Sequence, residues 1–468
     1  MATSGPVPLV SQVQRKPQTF TPSPWGDFFL QHIPCTPSKL LAMKERAQRK
    51  KEEVRQIILE TVASSNLVQK LELVDTLQRI GVDYHYKEEI DDLLRSVYDD
   101  KDGGSDNLYI TSLRFYLLRK HGYGVSSDVF EKFRDEQGNI SSDATSCLLM
   151  LYDAAHLRTH GEEILDNIIT FNKSHLQSLL LEILEPELRE EVQCTLETPR
   201  LRRVNRVEAR SYISVYEKKA TRDATILEFA KLDYNILQAI YCDELKELTV
   251  IMMTKFIVFA SLLDDLYDNY STTMESTTFT AAMQRWDEQT TEQLPAYLKA
   301  LFINILNTTN KIVEELKLTK NKHADLIKRL ITNLALISLG EVTTKEDVDW
   351  ALTFPKIIKG ACIVGRVGND IVSHEREQTS EHVASTVQTC MKEYGVTVEE
   401  ANEKLRIIIE EAWMDIIEDC LEQKRPMVLL ETAVNVARTM DFMYKREDAF
   451  TLSFSLKDVI ASMYVNSV

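Results

Sequence analysis

Between Ala401 and Lys424, apolar side chains recur at Leu405, Ile408, Ile409, Ala412, Trp413, Ile416, Ile417 and Leu421. Steps of three and four residues gather onto one side only in an α-helix. Little elsewhere in the chain interrupts such a pattern: 468 residues contain only 14 glycines and 12 prolines, so turn signals are sparse and helix formers dominate. Helices of this kind hide their apolar stripes by packing on one another, and an all-α architecture is predicted.

The coarse reading places helices in order. Thr36-Pro37-Ser38 opens a long one whose basic cluster, Arg46 to Lys51, is interleaved with glutamates at helical pair spacing and reads as a solvated face. Further helices are expected at Leu67 to Ile80, Lys87 to Val97, Leu108 to His121, Ser142 to Thr159 and Asp223 to Thr249. An arginine-dense stretch from Leu196 to Lys219, broken by Pro199, reads as a junction. The expected organisation is an extended arm over 1–24, a helical domain over 25–220 and a second helical domain over 221–468.

A net charge of -17 argues against nucleic acid, whose phosphates are held by clustered lysine and arginine. An acidic protein that binds an anionic ligand needs cations between the two. Seven scattered cysteines without a C-x-x-C pair read as buried free thiols of a reducing compartment. No stretch has the ~18 apolar residues of a membrane span or the form of a signal peptide, so a cytoplasmic location is expected.

Chemistry concentrates in two places. In the segment Ile251 to Thr273 an apolar run ends in Asp264, Asp265 and Asp268. On a helix Asp264 and Asp268 share a face about 6 Å apart, at the negative end of the dipole. Such a group suits a hard divalent cation; by itself it also suits an acidic helix end in water. The second motif weights the choice: Asn369, Ser373 and Glu377 recur every four residues, an oxygen stripe suited to one Mg2+, with Arg366 one turn upstream as a cation for a phosphate oxygen. His374 and His382 stand eight apart rather than four, so a zinc-protease motif is not met.

These two motifs, in this order, resemble the aspartate-rich and Asn-Ser-Glu motifs of plant class I terpene synthases, and the sesquiterpene synthases of grasses most of all. Arg15-Lys16 ahead of Trp25, the segments LRFYLLRKHGY and VEARSYISVYE, and the Tyr444, Asp448, Phe450 ending carry the likeness along nearly the whole chain. The resemblance implies a fold of two α-helical barrels, the second catalytic, and a monomer. It implies three Mg2+ ions, with Mn2+ as the alternative, on Asp264, Asp265, Asp268, Asn369, Ser373 and Glu377. Farnesyl diphosphate would be gripped through the metals and through Arg366, Tyr444 and Asp448, with Asp264, Asp268 and Arg366 serving its ionisation. Phe450 stands where the family often has a second tyrosine.

By the same resemblance two segments are missing from the second half. One, with a Trp-Trp pair and an Arg-x-Arg motif, is expected after Val250. The other, roughly one to two helices, is expected near Leu326 to Gly340. Bisabolyl- or farnesene-type products are expected. A chain-elongating prenyltransferase fits less well, since the second site carries Asn-Asp-x-x-Ser-x-x-x-Glu rather than another aspartate-rich motif. A shortened, non-catalytic protein that binds diphosphate or a partner is the reading from another class.

Overall fold

The computed structural model describes residues 24–26, 28, 29, 31, 35–64, 66–100, 105–182, 185–247, 258, 259, 262, 263, 266, 271–285, 292, 294–318, 346, 350, 351, 353–378, 385–422 and 424–468. Among them there is no strand. The first half comprises α1 (Pro37–Ala63), α2 (Leu67–Arg79), α3 (Lys87–Asp99), α4 (Leu108–Lys120), α5 (Thr145–Ala155), α6 (Glu163–Glu182), α7 (Pro186–Glu197), α8 (Asn205–Lys218) and α9 (Ala224–Glu247). There follow α10 (Thr273–Arg285), α11 (Ala296–Leu318), α12 (Lys356–Glu377), α13 (Thr386–Tyr394), α14 (Val398–Glu422), α15 (Met427–Met443) and α16 (Lys457–Tyr464).

The sparse punctuation is placed where it sets boundaries. Proline opens α1 and α7 and precedes α12 and α15, where a missing N–H costs nothing. Asn66 and Asn107 accept the N–H groups of Gln69 and Ile110, each at 3.2 Å, and so cap α2 and α4. Gly395 ends α13 at φ 64°, a left-handed conformation that a β-carbon would resist. The predicted helix Ser142 to Thr159 is shorter, Thr145–Ala155, because the chain turns away at His156 and sends Arg158 across to α14.

Two of the apolar cores among these helices bear on the site. The first packs Val54 and Ile58 of α1, Leu71 and Leu77 of α2, Phe115 and Leu118 of α4, and Phe229 and Tyr234 of α9, with Ile417 of α14 joining them. The second joins Ile357, Ile358, Ala361 and Val364 of α12 to Ala412, Trp413 and Ile416 of α14 and to Leu430, Val434 and Ala437 of α15. At ~1.5–3 kcal/mol for each fully buried large apolar side chain, α12 is held mainly by this face.

The arginine-dense stretch packs against residues of both cores. Arg200 pairs with Asp75 and lies 4.8 Å from the ring of Tyr116. Arg202 grips Glu410 of α14 with both terminal nitrogens, at 2.5 and 2.7 Å, and lies 5.1 Å from the Trp413 ring. Arg158 adds a third contact to Glu410 at 3.1 Å. The basic face of α1 is solvated as expected, except that Arg46 and Lys50 reach Glu228 of α9. All seven cysteines are free thiols, although Cys194 and Cys362 are exposed rather than buried.

Candidate active site

Helix α12 runs through the second core, and its close approach to α14 depends on one residue. A β-carbon at Gly360 would meet the Ala412 carbonyl oxygen at 2.7 Å and Ile416 Cγ1 at 2.8 Å. With that face engaged, the helix turns Arg366, Asn369, Asp370 and Ser373 to another side. Asn369 is 4% exposed, and Asp370 and Ser373 are fully buried.

Asn369 Oδ1 is buried and has no hydrogen-bond partner among the described residues. Such an orphan costs about 1–3 kcal/mol, so any group that supplies it with a partner is favoured there. Together with the Ser373 hydroxyl it offers the hard oxygen donors that Mg2+ takes. In donor chemistry the two residues fit such an ion. Glu377 closes α12, but its side chain lies outside the described residues, as do Asp264, Asp265 and Asp268.

Asp370 organises the charge beside the stripe. Its Oδ2 accepts the Thr386 N–H at 3.0 Å, which fixes the start of α13. Its Oδ1 lies 2.8 Å from Arg366 Nη2, one helical turn back, so the guanidinium is aimed while its side chain stays 47% exposed. Ser385 caps α13 and shares a 3.1 Å contact with His374 Nδ1. That histidine is buried; His382 lies outside the described residues.

The C-terminal residues are tied to the same helix. Arg376 Nη2 donates to Asp448 Oδ2 at 2.6 Å, and Asp448 Oδ1 accepts the N–H groups of Phe450 and Thr451 at 3.1 Å. Asp448 is 3% exposed, so it enters the site as the anchor of a turn. Tyr444 ends α15, with its ring centroid 5.8 Å from that of Phe450. It also lines a cavity of about 440 Å³ with Gly368, Val372, Glu375 and Arg406, on a different face of α12 from Asn369 and Ser373.

The structure thus brings Arg366, Asn369, Ser373 and, through Arg376, Asp448 to one helix. Sequence reasoning missed Asp370 and Arg376. Arg376 lies seven positions from Asn369 and three from Ser373, so helical spacing alone carried its signal.

Comparison with known proteins gives three findings. Residues 24–196 match the family described as terpene synthase, N-terminal domain, and residues 233–335 and 327–415 match the terpene synthase family, metal binding domain. The chain is 46% identical to an (E)-beta-caryophyllene synthase of Zea mays over 523 residues, covering 95% of each. It is 38% identical to an (E)-beta-farnesene synthase of Zea diploperennis over 527 residues, covering 96% of this chain and 98% of the relative. Among solved structures, isoprene synthase from grey poplar leaves, in complex with three Mg2+ ions and dimethylallyl-S-thiolodiphosphate, superposes with a TM-score of 0.77 at 27% identity, covering 91% of this chain and 97% of that one. Both alignments to relatives are longer than the 468-residue chain itself, so those proteins carry residues that this one lacks. The metal-binding family is matched in two pieces that overlap at 327–335, inside the stretch where the second missing segment is expected.

Proposed function

The chain belongs to the terpene synthase family, and on that premise we propose that it ionises farnesyl diphosphate, releases diphosphate and lets the resulting carbocation decay to sesquiterpene hydrocarbons. Divalent metal use comes with the metal-binding domain. The observation that carries the proposal is the buried Asn369 amide oxygen, unpaired among the described residues and on one stripe with Ser373 and Arg366.

In this reading Asn369, Ser373 and Glu377 hold one Mg2+, and Asp264, Asp265 and Asp268 hold the others, with Mn2+ able to substitute. Metal ions supply charge compensation for the departing diphosphate. Arg366, steered by Asp370, contributes a fixed positive charge to a diphosphate oxygen without competing for the metal. Arg376 orders the turn that carries Asp448, which closes the site and helps to exclude water while the cation exists. The proposed organisation keeps a domain boundary near residue 220, with a monomeric chain in the cytosol. No described helix is long and apolar enough to cross a membrane.

The missing residues bear on the product. With fewer helices to fold the isoprenoid chain, loss of a proton from the first allylic cation competes well with cyclisation, so an acyclic, farnesene-type olefin is favoured over a bisabolyl one. The same shortening favours a second reading, in which the chain binds diphosphate without turnover. Coupled detection of released diphosphate separates the two. Mg2+-dependent release from farnesyl diphosphate supports the enzyme; saturable binding without release supports the second reading.

A further inference from the structure

Where the two cores meet, His160 from the turn after α5 stands against Asp415 and Glu418 of α14, with its Nε2 3.1 Å from Asp415 Oδ1. One ligand atom from each of the three residues lies within 4.8 Å of the others. We propose that these residues form a site for a borderline divalent transition ion of the Zn2+ class, a metal staple between the halves of the protein and separate from the Mg2+ site.

Three observations support it. The donor set is one imidazole nitrogen and two carboxylates, which suits a four-coordinate ion completed by water and is a poor set for Mg2+. A cation already stands there: the Lys356 ammonium lies 2.5 Å from Glu418 Oε2 and 3.9 Å from Asp415 Oδ1. Lys356 is 55% exposed on its side chain and can swing into water when a doubly charged ion arrives. Finally, the donors are held in place independently of any metal. Arg158, two residues before His160, pairs with Glu410 of the same α14, and Arg202 grips that glutamate as well. Asp419 accepts the Ile357 N–H at 2.8 Å, so a different carboxylate serves the start of α12 and leaves Asp415 and Glu418 for the cation.

Binding would exchange the lysine contact, and any proton on the coordinating nitrogen, for metal bonds. It would stabilise the junction without touching Arg366, Asn369 or Ser373.

The test uses the full chain with Mg2+ at saturating concentration. Co2+ is followed by its visible absorption, and Zn2+ by equilibrium dialysis with elemental analysis. The expected result is one Co2+ or Zn2+ per chain, with intense tetrahedral d–d bands and no thiolate charge-transfer band. Affinity should fall at least ~10-fold in His160→Ala and in Glu418→Gln, since loss of a direct ligand costs no less than loss of an outer-shell partner. Lys356→Met removes the competing ammonium and should tighten binding; this arm does not depend on a disruptive change. Binding that survives His160→Ala unchanged, a thiolate band from the free cysteines, an unaltered affinity in Lys356→Met, or no stoichiometric ion at all would each overturn the proposal. Unchanged far-ultraviolet circular dichroism of the variants shows that lost binding is not lost folding.

Discussion

Gly360→Ala tests how α12 is positioned. The new methyl would sit 2.7 Å from the Ala412 carbonyl oxygen, whereas ordinary contact begins at 3.4 Å. That oxygen belongs to backbone and cannot rotate away, so α12 must withdraw from α14 by roughly 0.7 Å. Alanine gains about 1 kcal/mol over glycine in helix propensity. Overpacking costs ~1–3 kcal/mol, and the withdrawal also loosens contacts around Trp413 and Ile416. The net expectation is a loss of ~1–2 kcal/mol, with Asn369 and Ser373 displaced along with the helix. Gly365→Ala is the matched control. Its β-carbon would meet only Met440, Cγ at 3.2 Å, on a flexible thioether side chain that can shift. Urea unfolding followed by circular dichroism should show a lower midpoint for Gly360→Ala and an unchanged or higher one for Gly365→Ala. Equal stability of Gly360→Ala and the parent, or equal losses in both variants, would refute the account of how α12 packs.

Further outcomes follow from the site and the junction. Asn369→Ala removes a buried oxygen that is unpaired among the described residues, so in EDTA the variant should melt at or above the parent temperature, while the thermal shift produced by Mg2+ with diphosphate disappears. Glu410→Gln leaves the 4%-exposed Arg202 without its charge partner; the 36% exposure of the Glu410 side chain tempers the cost to ~2–4 kcal/mol, read from urea midpoints. Burial alone would raise the Glu208 carboxyl, but Arg203 and Arg79 outweigh it and pull the pKa to about 2 from 4.5. Because the folded value is the lower one, its stabilisation is complete above about pH 4.5 and is lost as pH falls toward 2. Glu208→Gln should therefore flatten the acid limb of a stability-against-pH curve. Arg376→Ala should free the turn at Asp448, raising proteolytic cleavage within 444–452 while leaving the helical content intact.

What the sequence made legible was whatever local spacing encodes. The period of three and four found α14 and the helices at Leu67, Lys87 and Leu108 nearly to their ends, since each stripe meets a core and Asn66 and Asn107 cap two of the starts. That Asn369 and Ser373 share a face of α12 was legible for the same reason, since four-residue spacing fixes a shared face before any tertiary contact forms. Long-range partners were not. Arg376 and Asp448 are 72 positions apart, and Arg202 and Glu410 are 208 apart, so nothing local signals either pairing. The run near Arg200 reads as a junction by composition, and nothing local says that it packs against Asp75, Tyr116 and Trp413. Composition reports charge; only packing decides whether that charge meets water or a partner.

The central claim is tested most directly by gas chromatography with mass detection of the hydrocarbons formed from farnesyl diphosphate and Mg2+ by the 468-residue chain, beside Asn369→Ala. Olefin from the parent, absent from the variant and from EDTA-treated parent, is the predicted result. A folded parent that yields no olefin, or a variant that yields as much, would contradict it.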